Sequence, residues 1–75
     1  PRRPMSERDV ERNCTPQSFV DTLRRLADAI ERGEPFRIQV VGKRFTVPQG
    51  AELSIEHEAA GDDEELELQL RWRRA

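Results

Sequence analysis

His57 and Cys14 are the single histidine and the single cysteine of this 75-residue chain, so they come first as candidates for catalysis. Nucleophilic catalysis needs a thiol, a base that activates it and a third group that orients the base. Cys14 has no evident partner, and no orienting third group can be named. We therefore expect no enzymatic activity, with Cys14 an inert half-buried thiol and His57 a satisfied or half-exposed side chain.

An acidic run, Asp62-Asp63-Glu64-Glu65, is the nearest approach to a metal site in the sequence. The run lacks the spaced ligands and the central glycine of a calcium loop, so a solvated turn is expected. One cysteine allows neither an internal disulfide nor a cysteine-based metal cluster, and glycine-rich phosphate signatures are absent. We expect no metal, no cofactor and no small-molecule substrate.

Composition limits the classes of partner. The formal net charge of −2 and the pI near 5.4 give no overall attraction to nucleic acid or to an anionic membrane. A chain of this size buries only about 60% of its unfolded surface, so covering apolar surface with a partner or a second copy would stabilise it. The sequence shows no long apolar run and no leader pattern, which predicts a cytoplasmic location and no membrane contact.

The N-terminal residues carry a weak signal. Pro1–Pro4 holds two arginines between prolines, and residues 1–5 are predicted to be a disordered tail ahead of a single domain at residues 6–74. Alternation between Ser6 and Asn13 is sparse, so a short edge strand at Glu7–Arg12 is left open.

A helix of about Pro16–Arg32 follows. Thr15 is a suitable N-terminal cap, and Pro16 at the first helical position loses no hydrogen bond. Gly33 favours the left-handed cap that ends a helix, and Pro35 prevents the helix from resuming. The apolar stripe expected on one face of the helix consists of Phe19, Leu23, Leu26, Ala27 and Ile30.

Two hairpins are predicted after the helix from alternation of apolar and polar residues. A turn at Gly42-Lys43 would put Val40 opposite Phe45 and Ile38 opposite Val47. A second turn at Gly61-Asp62 reverses the chain before the alternating segment Glu65–Arg73. The pairs predicted for this second hairpin are Leu53 with Leu70, Ile55 with Leu68, and His57 with Leu66.

The sequence thus predicts an α+β fold in which one amphipathic helix packs on one face of an antiparallel four-stranded meander. Trp72 is expected to close one end of the core, with a rim or dimer contact as the alternative. The residues expected to define the core are Phe19, Leu23, Leu26, Ile30, Phe36, Ile38, Val40, Phe45, Val47, Leu53, Ile55, Leu66, Leu68, Leu70 and Trp72.

Three segments carry a family resemblance: Leu26–Ile30 with Gly33-Glu34, Val47-Pro48, and the alternation from Glu65 to Trp72. Together they resemble the amphi-Trp domain, over roughly Asp9 to Trp72. The resemblance implies a small prokaryotic cytoplasmic domain without an assigned biochemical activity. It also implies a strand before the helix.

The outer sheet face is the candidate interaction surface. It carries Glu52 and Arg71 as a predicted cross-strand pair, and its charges are expected to separate into a basic and an acidic half. The simplest interpretation is a solvated, soluble face. The functional one is a non-enzymatic module that binds a protein partner or itself through a sheet edge or this face, with weak nucleic-acid binding by the basic half as the alternative. The residues proposed for the surface are Arg37, Arg44, Arg71, Arg73, Glu56 and Glu67.

Overall fold

The computed structural model describes residues 12–74. These residues form a helix, α1 (Pro16–Arg32), and four strands: β1 (Phe36–Val40), β2 (Lys43–Val47), β3 (Glu52–Ala60) and β4 (Asp63–Arg71). All pairings are antiparallel, which confirms the α+β class. The predicted tail at residues 1–5 and the strand left open at Glu7–Arg12, Arg12 excepted, lie outside the described residues.

Helix α1 has the predicted ends. The backbone N–H of Ser18 donates to Oγ1 of Thr15 at 3.1 Å, which satisfies one of the free donors of the first turn. At the other end Gly33 has φ 66°, and the N–H groups of Gly33 and Glu34 donate to the carbonyls of Ile30 and Ala29. This is a Schellman motif, and its left-handed residue explains why glycine is needed there.

The register of the first hairpin differs from the predicted one by two residues. The turn is Val41-Gly42, so Ile38 lies opposite Phe45, and Phe36 lies opposite Val47. The predicted register would have placed Pro48, which has no N–H to donate, opposite a strand residue, and would have left Phe36 without a partner. The observed register gives five residue pairs, and a shift of two residues keeps each side chain on its predicted face.

The second hairpin has the predicted register. Leu53 pairs with Leu70, Ile55 with Leu68 and His57 with Leu66, around a turn at Gly61-Asp62. Strand β4 ends at Arg71, so Trp72 lies just beyond it.

The two hairpins form separate two-stranded sheets, and within residues 12–74 no ladder joins β2 to β3. The turn chemistry of Pro48-Gln49-Gly50 separates these two strands. Helix α1 packs mainly against β1, so the second hairpin extends away from the helix with one face open. The four-stranded meander is therefore present as two consecutive hairpins rather than as one continuous sheet.

The core is smaller than expected. In the described part of the chain the buried hydrophobic side chains are Ala29, Phe36 and Val47, with Leu26, Ile38, Ala51 and Leu70 partly buried against them. Val40 and Phe45 are also half-buried. The remaining eight residues expected in the core are exposed: Phe19, Leu23, Ile30, Leu53, Ile55, Leu66, Leu68 and Trp72.

Across residues 12–74, no helix is both long enough and apolar enough to cross a membrane.

Candidate interaction surface

The inner face of the second hairpin carries apolar side chains that the core leaves exposed. This face, called here the open face, is made of the paired rows Leu53 and Leu70, Ile55 and Leu68, and His57 and Leu66. Ile55 is 74% exposed, Leu66 69% and Leu68 52%. Soluble monomers rarely show contiguous apolar surface of this kind unless it contacts something else.

The helix forms one wall of the open face. Leu26 and Ile30 of α1 border a groove of about 410 Å³ that continues across the hairpin. Trp72, just beyond the end of β4, is 40% exposed. The residues that line the groove are Leu26, Ile30, Leu53, Ser54, Ile55, Leu68, Gln69 and Leu70.

A polar pair marks the far end of the open face. Nε2 of His57 lies 3.0 Å from Oε1 of Glu64, and both side chains are mostly exposed. Glu64 is predicted from the sequence only as part of the acidic turn and not as part of the interaction surface, although its even residue number places it on the same face as Leu66 and Leu68 in an alternating strand. The alternation of side chains along the strand is therefore the sequence signal that places Glu64 on the open face. The pair borders the apolar rows where they meet the turn.

The two ends of the second hairpin differ in charge, although Glu52 lies opposite Arg71 at the basic end. Between residues 58 and 65 the chain has only acidic charges, whereas residues 71–74 carry three arginines. The acidic tip is Glu58, Asp62, Asp63, Glu64 and Glu65. The basic base is Arg71, Arg73 and Arg74.

The outer face of the same hairpin brings two of the predicted surface residues together. Glu56 lies directly opposite Glu67, and Nε2 of Gln69 donates to Oε1 of Glu56 at 3.0 Å. With Glu58 they form a group whose carboxylate oxygens lie within 4.8 Å of one another. Exposed carboxylates of this kind commonly hold no ion, so the group supports no metal site.

The predicted cross-strand pair on this face is present. Glu52 is the Cα partner of Arg71, and Oε1 of Glu52 lies 3.7 Å from Nε of Arg71. Both side chains are well exposed, so the pair contributes little to stability. Arg73 lies beyond the strand and is exposed.

Arg37 and Arg44 lie on the first hairpin, in a different environment from Arg71 and Arg73. They line a cleft of about 1020 Å³ between that hairpin and the N-terminal half of α1. Arg12 and Arg25 line it as well, with Asp21 as its acidic residue. The four predicted arginines are thus divided between a cleft and a strand end, and no single basic half is formed.

Arg25 is already engaged in holding the helix to the first hairpin. Its Nη2 donates to the backbone carbonyl of Arg37 at 2.6 Å, and its guanidinium lies 5.2 Å from the centre of the Phe36 ring. No sequence pattern indicated this contact, since it joins residues 12 positions apart across two elements.

Cys14 and His57 have separate surroundings. Cys14 is exposed, and its Sγ donates weakly to the carbonyl of Arg12 at 3.8 Å. His57 contacts Glu64 at the tip of the second hairpin. In the described region each residue thus has a local contact of its own, and the expected half-burial of the thiol is replaced by exposure.

Comparison of the chain with protein-family models, with curated proteins and with solved structures found no match.

Proposed function

We propose that this chain is a non-enzymatic protein-interaction module whose binding surface is the open face of the second hairpin. The observation that carries the proposal is the exposure of Ile55, Leu66 and Leu68 in a well-formed antiparallel ladder. Leaving such side chains in water forgoes roughly 1.5–3 kcal/mol for each one that a partner would bury fully. The proposal adds this apolar face to the sheet edge and charged outer face that the sequence favours.

The composition of the face supports binding of protein rather than of a small molecule. Its groove is open along the hairpin and lined by aliphatic side chains, and Ser54 and Gln69, which border it, have the parity of the outer face. These two side chains already contact each other, Oγ of Ser54 lying 3.2 Å from Oε1 of Gln69. Small-molecule sites are usually enclosed and orient the ligand with several converging polar groups.

The cytoplasmic location and the amphi-Trp resemblance belong to the same proposal. Both agree with a small domain that acts by binding. Cys14 and His57 have separate local contacts, with the carbonyl of Arg12 and with Glu64, and the proposal assigns neither of them a catalytic role.

The test is side-chain labelling by hydroxyl radicals, applied to the purified chain at low concentration and to the chain inside cells that express it. We expect Ile55, Leu66, Leu68 and Trp72 to be labelled readily in the dilute chain and to be protected in cells. The buried Phe36 is the internal control and should be protected in both.

A substitution on the open face distinguishes protection by a bound partner from other causes of reduced labelling in cells. Ile55→Asp should keep the chain folded, because the side chain is already in water, and should abolish the protection of Leu68 in cells. Val41→Asp, at the exposed turn of the first hairpin, is the matched control and should leave that protection unchanged. Equal labelling of the open face in dilute solution and in cells would contradict the proposed function.

Weak nucleic-acid binding is the second candidate, and the cleft lined by Arg12, Arg25, Arg37 and Arg44 is the observation that favours it. Binding through arginine and phosphate weakens steeply as salt is raised. Titration of single-stranded RNA at low salt should show binding that Arg37→Glu with Arg44→Glu removes. Arg24→Glu with Arg32→Glu on the helix is the control of equal charge. A flat titration would exclude this candidate.

A further inference from the structure

We infer that the partner of the open face is a second copy of this chain, packed face to face and antiparallel, so that the acidic tip of each copy lies over the basic base of the other. The inference rests on the proposed function, since it uses the same face. It adds the identity of the partner and the direction in which it lies.

The small core gives the first argument for self-association. Three hydrophobic residues are buried among residues 12–74, and none of the described side chains has less than 2% of its surface exposed. A chain of this length with so thin a core usually needs a further source of stability, and oligomerisation is a common one. The open face supplies apolar surface on every copy without a change of fold.

The second argument is the distribution of apolar residues along the hairpin. Strands β3 and β4 have nine residues each, so the Ile55 and Leu68 row lies close to the middle of the hairpin. A two-fold axis near this row would place the apolar centre of one copy on that of the other. Such an isologous arrangement uses one patch twice, which is the commonest geometry of soluble dimers.

Charge decides between the two directions in which the copies can lie. A nine-residue strand is roughly 30 Å long, whereas charges in physiological salt are screened beyond about 8 Å. The acidic tip and the basic base of one chain are therefore too far apart to neutralise each other. Parallel packing would bring acidic tip to acidic tip, and antiparallel packing brings each tip to a base of opposite sign.

The side chains at the two ends of the open face fit this arrangement. Glu64 has the parity of the open face at the tip, and at the base Arg73 and Arg74 follow Trp72 beyond the end of β4, whereas Arg71 pairs with Glu52 on the outer face. In the antiparallel dimer the carboxylate of Glu64 would approach Arg73 and Arg74 of the other copy. Complementary potentials at an interface fix its register and penalise the wrong one.

The experiment is a charge-exchange test by sedimentation velocity on the full chain over a range of concentrations. The tip variant is Asp62→Lys with Glu64→Lys, and the base variant is Arg73→Glu with Arg74→Glu. Asp28→Lys with Glu31→Lys, on the exposed side of α1, changes the net charge as much as the tip variant and serves as its control. Circular dichroism verifies that each variant is folded.

We expect the wild-type chain and the α1 control to dimerise, and the tip and base variants to dimerise about tenfold or more weakly. An equimolar mixture of the tip and base variants should dimerise more tightly than either variant alone, because one end of the mixed dimer again places an unaltered acidic tip over an unaltered basic base. Rescue by mixing is a result that damage to the fold cannot produce.

Three outcomes would overturn the inference. A wild-type monomer at all concentrations would remove the second copy as partner, although protection of the open face in cells would still support binding to another protein. A dimer that is insensitive to both charge variants would exclude the antiparallel direction. Weakened variants that fail to recover on mixing would exclude the pairing of tip with base.

Discussion

Ile55 and Leu68 lie directly opposite each other on β3 and β4, and more than half of each side chain is exposed. Directly opposed aliphatic side chains stabilise a hairpin by their mutual contact, but an isolated two-stranded hairpin is marginal in water. The second hairpin therefore has a defined register, but the apolar side chains on one of its faces are not covered by the rest of the chain.

Phe36→Ala should destabilise the chain by about 3–5 kcal/mol, because Phe36 is 7% exposed and forms the core with Ala29 and Val47. The sequence predicts a core position for Phe19 as well, but that side chain is 54% exposed. Phe19→Ala is therefore the matched control and should cost about 1 kcal/mol or less. Urea denaturation at one protein concentration measures both, and equal losses would contradict the described core.

Val41→Asn should stabilise the first hairpin by about 1 kcal/mol. Val41 has φ 48°, a conformation that β-branched residues adopt at a cost and that asparagine tolerates, and an Asn-Gly pair suits this turn. Val41→Ala removes the exposed side chain but keeps an ordinary L-residue at positive φ, so it should gain less. A midpoint of thermal unfolding that falls in Val41→Asn would show that the turn is not Val41-Gly42.

Glu58→Lys should stabilise the second hairpin by about 0.2–1 kcal/mol, because Glu58 lies directly opposite Glu65 and close to the carboxylates of Glu56 and Glu67. Glu52→Lys makes the same substitution opposite Arg71 and should lower stability by a similar amount. The two shifts in unfolding free energy should therefore have opposite signs, and both should shrink as salt is added. Equal signs would contradict the register of β3 and β4.

Arg25→Lys should destabilise the contact between α1 and β1 by about 1 kcal/mol. Lysine keeps the charge but loses the planar group that lies over Phe36 and donates to the carbonyl of Arg37. Arg24→Lys is the same substitution at the neighbouring exposed position and should have almost no effect. Amide hydrogen exchange in β1 provides a local readout, and unchanged exchange in Arg25→Lys would show that the contact does not hold the strand.

Local sequence chemistry was sufficient to predict the elements and most of their ends. The helix from Pro16 to Arg32 has the expected cap at Thr15 and the expected stop at Gly33, because capping depends on residues within one turn. The register of the second hairpin was also predictable, since a slip by one residue would reverse every leucine. In the first hairpin the turn predicted at Gly42-Lys43 was wrong, because the register with five residue pairs places the turn at Val41-Gly42 despite the positive φ of Val41.

The sequence by itself determined which side chains share a face, because strand and helix periodicity are properties of the local backbone. Only the tertiary structure decided which of those faces are covered. Helix α1 packs on β1 and reaches the second hairpin with Leu26 and Ile30 at its border, so Phe36 is enclosed and Ile55 is not. Coverage depends on where one helix lies relative to two sheets, and alternation along a strand carries no information about that placement.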